Sequence, residues 1–201
     1  MAITTYAELQ TSIGNWLNRD DLAAVIPDFI ALAEATIARD LRHFKQEKRV
    51  TTSVDERYEN LPNDWLEILQ VQLSDGGVLS SISAAEMETR RALDGTAGRP
   101  RYMRLTADQI ELYPTPDTPY DVLMQYYART PALTDVDTSN WLLRDAPDVL
   151  LYGALVASAP YLVDDGRITT WAALYQAGIE GLNAENMKGR HAGPLRMGVP
   201  R

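Results

Sequence analysis

The chain has 201 residues, of which 45% are hydrophobic and 23% are charged, with a formal net charge of −9 and no cysteine. Such a composition is typical of a globular protein with one domain or one domain and an insertion. The lack of cysteine excludes disulfides and thiolate chemistry, and the acidic balance argues against nonspecific nucleic-acid binding by the whole surface. The first residues do not have the pattern of a secretory signal, so we expect none. The uncharged stretch 149–163 is too short for a membrane span and predicts a buried helix.

Two helices are predicted in the first 47 residues. Thr5 and Glu8 have the spacing of a capping box, which begins the first helix. Pro27 suits the first turn of the second helix. The apolar residues of this second helix fall on one stripe, which we expect to lie in the core. The stripe consists of Ile26, Ile30, Ala33, Ile37, Leu41 and Phe44.

The middle of the chain has the alternating pattern of strands. The predicted strands are 49–54, 66–73, 101–105, 109–113 and 120–127. A turn is expected at 74–77, and a short helix is expected to follow Ser83, since Glu86 stands at capping-box spacing. The prolines of 114–119 confine the last connection to a loop. These short strands predict an antiparallel meander rather than a βαβ repeat.

Helices return after Pro131. Pro147 suits the first turn of an almost uncharged helix that continues to Leu162, and Pro160 is expected to bend or end it. After a tight corner at 164–166, a final helix presents one apolar face. This face consists of Ile168, Trp171, Tyr175, Ile179 and Leu182.

These elements predict an α+β fold that is mainly α. A helical bundle is formed by the N- and C-terminal helix pairs, an antiparallel β-rich lobe is inserted between them, and a tail extends from the end. The predicted boundaries are 1–47 for the N-terminal pair, 48–130 for the β-rich insertion with one short helix, 131–187 for the C-terminal pair and 188–201 for the tail.

The predicted tail has the opposite charge to the rest of the chain. It carries four Lys or Arg residues and no acid, together with three glycines and two prolines. Because this composition forms neither a good helix nor a good strand, we expect an extended basic arm. Such an arm suits docking along another protein, and the alternative is a frayed terminus.

The sequence contains no recognisable catalytic or metal-binding motif. His43 and His191 do not have the spacing of a metal site, and we expect His43 to cap a helix end or to be solvated. The acidic pair Asp135 and Asp137 is expected in a turn, where caps and solvated corners are the usual role. Nucleophile elbows, phosphate-binding loops and dinucleotide fingerprints are lacking. We therefore expect no enzymatic activity and no cofactor.

Basic residues are concentrated at two further places. Arg42, Lys45 and Arg49 share a face if the second helix continues, and such a face suits phosphates or the carboxylates of a partner. The alternative is that these cations offset the dipole of the helix C-terminus. Arg99 and Arg101 share one face of a predicted strand, where protection of a sheet edge is a plain structural role.

An ordered series of short segments runs through nearly the whole chain. In the C-terminal half it consists of 139–148 (Ser-Asn-Trp-Leu-Leu-Arg-Asp-Ala-Pro-Asp), 151–155, 159–162, 164–165 and 171–175. Earlier in the chain it consists of 6–9, 16–17, 30–34, 61–67, 98–100 and 126–127. Each segment alone is a packing or turn pattern. Taken in order, they resemble the head-to-tail adaptor proteins of tailed bacteriophages.

The resemblance implies a structural role in the neck of a virion, for a protein made in the host cytoplasm. Such adaptors form a dodecameric ring under the portal, close the DNA-filled head and join it to the tail. The implied partners are the portal protein, a tail or nozzle protein, further copies of the chain, and genomic DNA that passes without sequence-specific contact; no membrane is implied. The C-terminal segment is expected to contact the portal. The expected contact residues are Arg190, Pro194, Leu195, Arg196, Met197 and Val199.

Two other functions remain open from the residues alone. One is a small DNA-binding accessory protein that uses Arg42, Lys45 and Arg49 and binds duplex DNA in a salt-dependent way. The other is a hydrolase of the cell envelope that uses a pair of carboxylates, although no acidic pair in the sequence has the expected setting.

Overall fold

Residues 3–162 and 166–191 are described by the structure, a computed structural model. They form an α+β fold that is mainly α, which confirms the predicted class. The chain divides into two units. The helical unit joins both ends of the chain, up to Gln46 and again from Thr130, and the β-rich unit is Glu47–Arg129.

The first two helices begin as predicted. Helix α1 (Tyr6–Leu17) starts with the capping box, in which Thr5 Oγ1 accepts a hydrogen bond from the Glu8 amide at 3.3 Å. The Glu8 carboxylate accepts in return from the Thr5 amide at 3.0 Å. Helix α2 (Ile26–Asp40) carries Pro27 in its first turn.

Helix α2 ends before the apolar stripe does. Leu41 is buried but has extended backbone angles, and a 3-10 turn follows at Phe44–Gln46. Asn183 ends the helix from a distant part of the chain, because its side chain donates to the Asp40 carbonyl and accepts from the Arg42 amide, each at 3.3 Å. The predicted burial of Phe44 is therefore wrong, and this side chain is 39% exposed.

The C-terminal helices are α4 (Trp141–Asp145), α5 (Pro147–Ala157), α6 (Ala159–Leu162) and α7 (Ile168–His191). The predicted helix from Pro147 to Leu162 is interrupted at Ser158, just before Pro160, which has no amide hydrogen to continue the helix. Six of the eleven residues of helix α5 are buried, and the helix contacts α1, α2 and α7. The predicted corner at 164–166 lies mostly outside the described residues.

Helix α7 continues further than the sequence predicted. Residues 188–191, the first four of the predicted extended tail, are helical. Gly189 does not end the helix, because a single glycine costs a helix only about 1 kcal/mol. The adjacent residues Gly193 and Pro194 come shortly after His191, the last helical residue. The remaining tail, 192–201, lies outside the described residues.

The core of the helical unit is built from the predicted apolar faces. Trp171, Tyr175 and Ile179 of α7 are buried, while Ile168 and Leu182 are partly buried. The α2 stripe contributes its first five members to the same core. These are Ile26, Ile30, Ala33, Ile37 and Leu41.

All five predicted strands are present in the β-rich unit. They are β1 (Glu47–Val54), β3 (Trp65–Leu73), β5 (Tyr102–Thr106), β6 (Gln109–Tyr113) and β7 (Tyr120–Ala128). Two unpredicted strands, β2 (Tyr58–Asn60) and β4 (Ser80–Ser81), are too short to show a period in sequence. The predicted short helix is α3 (Ala84–Leu93), and Ser83 caps it by accepting from the Glu86 amide.

The described strands form two sheets with the orders β1-β7-β3 and β2-β6-β5-β4. The predicted meander is wrong, because β1 pairs with β7, the last strand, and not with the next one along the chain. The sheets are antiparallel except for the short parallel pairing of β4 with β5. Strand β7 is central because it pairs with β1 on one edge and with β3 on the other, and its alternate side chains Val122, Met124 and Tyr126 are buried.

Candidate interaction surfaces

The helical spacing that was predicted to place Arg42, Lys45 and Arg49 on one face is absent from this segment. Because α2 ends at Asp40, these residues lie on a connection, a 3-10 turn and strand β1, and they have no common helical spacing. The Arg42 guanidinium donates to the carbonyls of Ala38 and Leu41, each at 2.8 Å, and so stabilises the end of α2. Lys45 Nζ lies 2.8 Å from a carboxylate oxygen of Asp145.

His43 is buried, so of its two predicted roles, capping or solvated, the solvated one is wrong. Its ring stacks on Trp141 with centroids 5.3 Å apart, and Nδ1 accepts a hydrogen bond from the Lys45 amide at 3.3 Å. Its Nε2 lies 3.9 Å from the Glu185 carboxylate. Burial lowers the pKa of His43, and this effect outweighs the attraction of Glu185 for the proton. His43 is therefore neutral at pH 7.

A buried carboxylate organises the β-rich unit. Glu111 on β6 is fully buried and, among the described residues, is met by the guanidinium groups of Arg57, Arg91 and Arg104. Arg57 donates two hydrogen bonds to Glu111 Oε1, at 2.8 and 2.5 Å. Arg91 donates to the same oxygen at 3.1 Å, and an Arg104 nitrogen lies 2.9 Å from Oε2.

These ion pairs join parts of the unit that are far apart in sequence. Arg57 precedes β2, Arg91 lies near the end of α3 and Arg104 lies on β5. A buried charge is tolerated only when it is paired and hydrogen-bonded, so Glu111 fixes these three elements to one point. The sequence contained no signal for this cluster, because nothing local relates Glu111 to its partners.

The predicted role of Arg99 and Arg101 in protecting a sheet edge is wrong. Both residues precede β5, and β5 is an interior strand between β6 and β4. They instead line a surface cleft of the β-rich unit, together with Arg90 and Tyr102. The cleft consists of two adjoining depressions of about 350 and 380 Å³, which share Arg99, Arg101 and Tyr102. We call it the basic cleft.

The arginines of the basic cleft differ in whether an acidic side chain pairs with them. The Arg90 guanidinium lies 4.2 Å above the Tyr102 ring and pairs with Glu86 at 2.7 Å. Arg99 pairs with Asp75 at 2.6 Å. Arg101 is exposed, and its guanidinium has no ion pair or hydrogen bond with any residue in the described part of the chain. Among the described residues, the cleft therefore offers one cation without an ion pair beside an aromatic ring.

Asp94 is the acid in the lining of the basic cleft. Its carboxylate accepts hydrogen bonds from the Thr96 side chain at 2.6 Å and from the Thr96 amide at 3.0 Å. These hydrogen bonds lower the pKa of Asp94, so it stays ionised. Asp94 is thus held by Thr96 and does not pair with Arg101, and the three arginines of the lining outnumber this one acid.

The acidic pair Asp135 and Asp137 lies in an exposed turn of the helical unit, as predicted. Thr134 holds the turn: its hydroxyl accepts from the amides of Val136 and Asp137, at 3.2 and 2.9 Å. Val136 between the two acids is 88% exposed. Neither carboxylate has an ion pair within 3–162 and 166–191. We call these three residues the acidic turn.

Most of the predicted portal-contact residues lie outside the described residues. These are Pro194, Leu195, Arg196, Met197 and Val199. Arg190 is the exception, because its backbone belongs to the last turns of α7. The contact set thus stays a prediction.

Two other kinds of site are not found in the described part of the chain. Within the described ranges, no group of three or more His, Cys, Asp or Glu residues is close enough to bind a metal ion. No described helix is both long and apolar enough to cross a bilayer.

Comparison with known protein families gives one match. Residues 4–198 of the chain match the SU10 adaptor protein family. This match covers nearly the whole chain, so the protein belongs to the SU10 adaptor protein family, a family of phage head-to-tail adaptors. Comparison with curated proteins found no match.

Proposed function

We propose that this phage adaptor protein forms a ring of copies under the portal, seals the DNA-filled head and joins it to the tail. The family match over residues 4–198 carries the proposal, because it includes both units and most of the basic C-terminal segment. The ring is proposed to be dodecameric and to stand in the virion neck. Genomic DNA passes through it without sequence-specific contact, and the role is structural rather than catalytic.

The C-terminal segment is the proposed portal contact. Helix α7 packs into the helical unit through Trp171, Tyr175 and Ile179, and the C-terminal segment continues from this helix in sequence. This segment is basic on a chain of net charge −9, and a partner with acidic surface attracts it selectively. In the proposal, Arg190 and Arg196 pair with carboxylates of the portal. Pro194, Leu195, Met197 and Val199 supply the apolar anchors.

The test is the mass of the complex formed with the cognate portal ring. We expect the full chain to bind the portal in several copies, and a chain that ends at His191 to lose this binding. The substitution Leu195→Asp in the full chain should weaken it in the same direction, because it buries a charge in an apolar contact. Thr170→Ala, on the exposed face of α7, serves as the matched control.

The outcomes separate the parts of the proposal. If the full chain does not bind the portal in several copies, the adaptor ring is wrong for this protein. If the shortened chain binds as well as the full chain, the ring survives and the role of residues 192–201 is wrong. Circular dichroism of each variant establishes that loss of binding does not come from loss of folding.

The alternative of a DNA-binding accessory protein has no comparable support. It depended on a common face of Arg42, Lys45 and Arg49, and these side chains lie on separate elements. Arg42 and Lys45 are also engaged by carbonyls and by Asp145. A gel-shift experiment with duplex DNA at low salt checks this directly, since contacts to phosphates are strongest there.

A further inference from the structure

We infer that the basic cleft of one copy receives the acidic turn of a neighbouring copy in the ring. The inference rests on the proposed ring and names a contact between its subunits. Both surfaces are exposed on the chain, and they carry opposite charge. They lie in different units, the cleft in Glu47–Arg129 and the turn in the helical unit.

A ring of these subunits has an electrostatic problem. Each copy carries a formal net charge of −9, so copies placed side by side repel one another. In a cyclic ring every subunit uses two different surfaces, one toward each neighbour, and these surfaces must complement each other. The basic cleft and the acidic turn are two different surfaces, and Arg101 of one is complementary to the carboxylates of the other.

The basic cleft has the chemistry to bind a carboxylate with a short apolar segment. Arg101 has no partner among the described residues, and its planar guanidinium suits a two-point contact with a carboxylate. Tyr102 and Val78 add apolar surface at the same place, and Val78 is 56% exposed. Arg99 lies beside Arg101 in the same lining, where it pairs with Asp75.

The acidic turn has matching chemistry in a compact form. Its two carboxylates flank an exposed valine, so one charge can meet Arg101 while Val136 covers Tyr102. The hydrogen bonds from Val136 and Asp137 to Thr134 already hold the turn in shape, which reduces the entropy lost on binding.

Nucleic acid is the less suitable occupant of the basic cleft. Two of its three arginines are already neutralised by Glu86 and Asp75, and Asp94 is ionised in the lining. A long polyanion is repelled by these acids along its length, whereas a short turn brings only its own two carboxylates into the cleft. The observations therefore favour a protein carboxylate over a phosphate backbone.

A charge-swap experiment on the ring tests the inference. Complexes of the full chain with its portal ring are weighed by native mass spectrometry. We expect Arg101→Glu and Asp137→Arg each to weaken assembly of neighbouring copies by about tenfold or more, and the double variant to recover much of it. Arg129→Glu, a charge reversal at another exposed position of the β-rich unit, should leave assembly unchanged. Melting temperatures of all variants separate misfolding from loss of contact.

Crosslinking identifies the partner of the cleft. In an Arg101→Lys variant, a zero-length carbodiimide reagent joins the introduced amine to a carboxylate in contact with it. With equal amounts of ¹⁵N-labelled and unlabelled chain, links to residues 135–137 that carry both labels support a contact between copies. Links within one copy only, or to the portal or tail protein only, overturn it.

The remaining outcomes distinguish failure of the proposed function from failure of the present inference. If the wild-type chain forms no multi-copy complex, the proposed function fails. If the wild-type ring forms and the Arg101→Glu ring is unchanged, only the present inference fails. An Arg101→Glu variant that assembles normally but loses binding to duplex DNA assigns the cleft to nucleic acid and overturns the inference.

Discussion

Replacing Glu111 by glutamine removes the carboxylate on which Arg57, Arg91 and Arg104 converge. The amide keeps nearly the same shape and one acceptor oxygen, so the change is mainly one of charge. The positive side chains then face one another without the anion that held them together. We expect the β-rich unit to be destabilised while its fold is retained.

The size of the effect follows from the burial of the cluster. Glu111 is 0% exposed, whereas the side chains of Arg57, Arg91 and Arg104 are 34%, 19% and 24% exposed. Breaking a fully buried pair costs about 3–5 kcal/mol. Because the guanidinium groups still reach water, we expect a smaller loss of about 2–3 kcal/mol in the free energy of unfolding. For a chain of this length, that corresponds to a fall of about 4–12 °C in Tm.

The assay is urea unfolding followed by circular dichroism and by tryptophan fluorescence. Glu86→Gln is the matched control, since Glu86 also pairs with an arginine, but on the exposed surface of α3. The control should leave the unfolding midpoint within experimental error, because exposed ion pairs contribute little. A Glu111→Gln variant as stable as this control would refute the reasoning that the buried carboxylate organises the unit.

Three further effects on stability are expected. Gly178→Ala should destabilise the protein by about 1 kcal/mol, because the added Cβ would lie 2.8 Å from Val149 Cγ2. The Cβ added by Gly181→Ala meets nothing within 4 Å, so this change should stabilise the helix by about 0.5–1 kcal/mol. Thr5→Ala should cost about 1 kcal/mol through loss of the α1 cap, measured by thermal unfolding. Burial lowers the pKa of His43 in the folded protein, so on acidification its imidazole is protonated in the unfolded chain before it is protonated in the folded one. The free energy of unfolding should therefore fall as the pH drops below about 6.5.

The controls for these changes are available in the same elements. Thr11→Ala, on the exposed face of α1, should not destabilise the protein as Thr5→Ala does. A His43→Gln variant should lose less stability than the wild type between about pH 7 and about pH 5, because it has no imidazole to protonate. Equal pH slopes, or equal stability of Gly178→Ala and Gly181→Ala, would contradict the burial and packing on which these expectations rest.

The sequence by itself determined the elements whose causes are local. The capping box of Thr5 and Glu8, the turn prolines and the apolar periods predicted most helices and strands, because each depends on residues within a few positions. The order of short segments along the chain was also enough to indicate the phage adaptor family. Where local signals were too short, as in β2 and β4, the elements were missed.

Tertiary structure alone decided the features that join distant residues. Asn183 ends α2 and thereby separates Arg42, Lys45 and Arg49, although the apolar stripe continues to Phe44. The short parallel pairing of β4 with β5 makes β5 an interior strand of its sheet, which changes the role of the neighbouring arginines. Glu111 meets its partners only because three elements converge on it. These contacts depend on the topology of the whole chain, and local propensities carry no information about them.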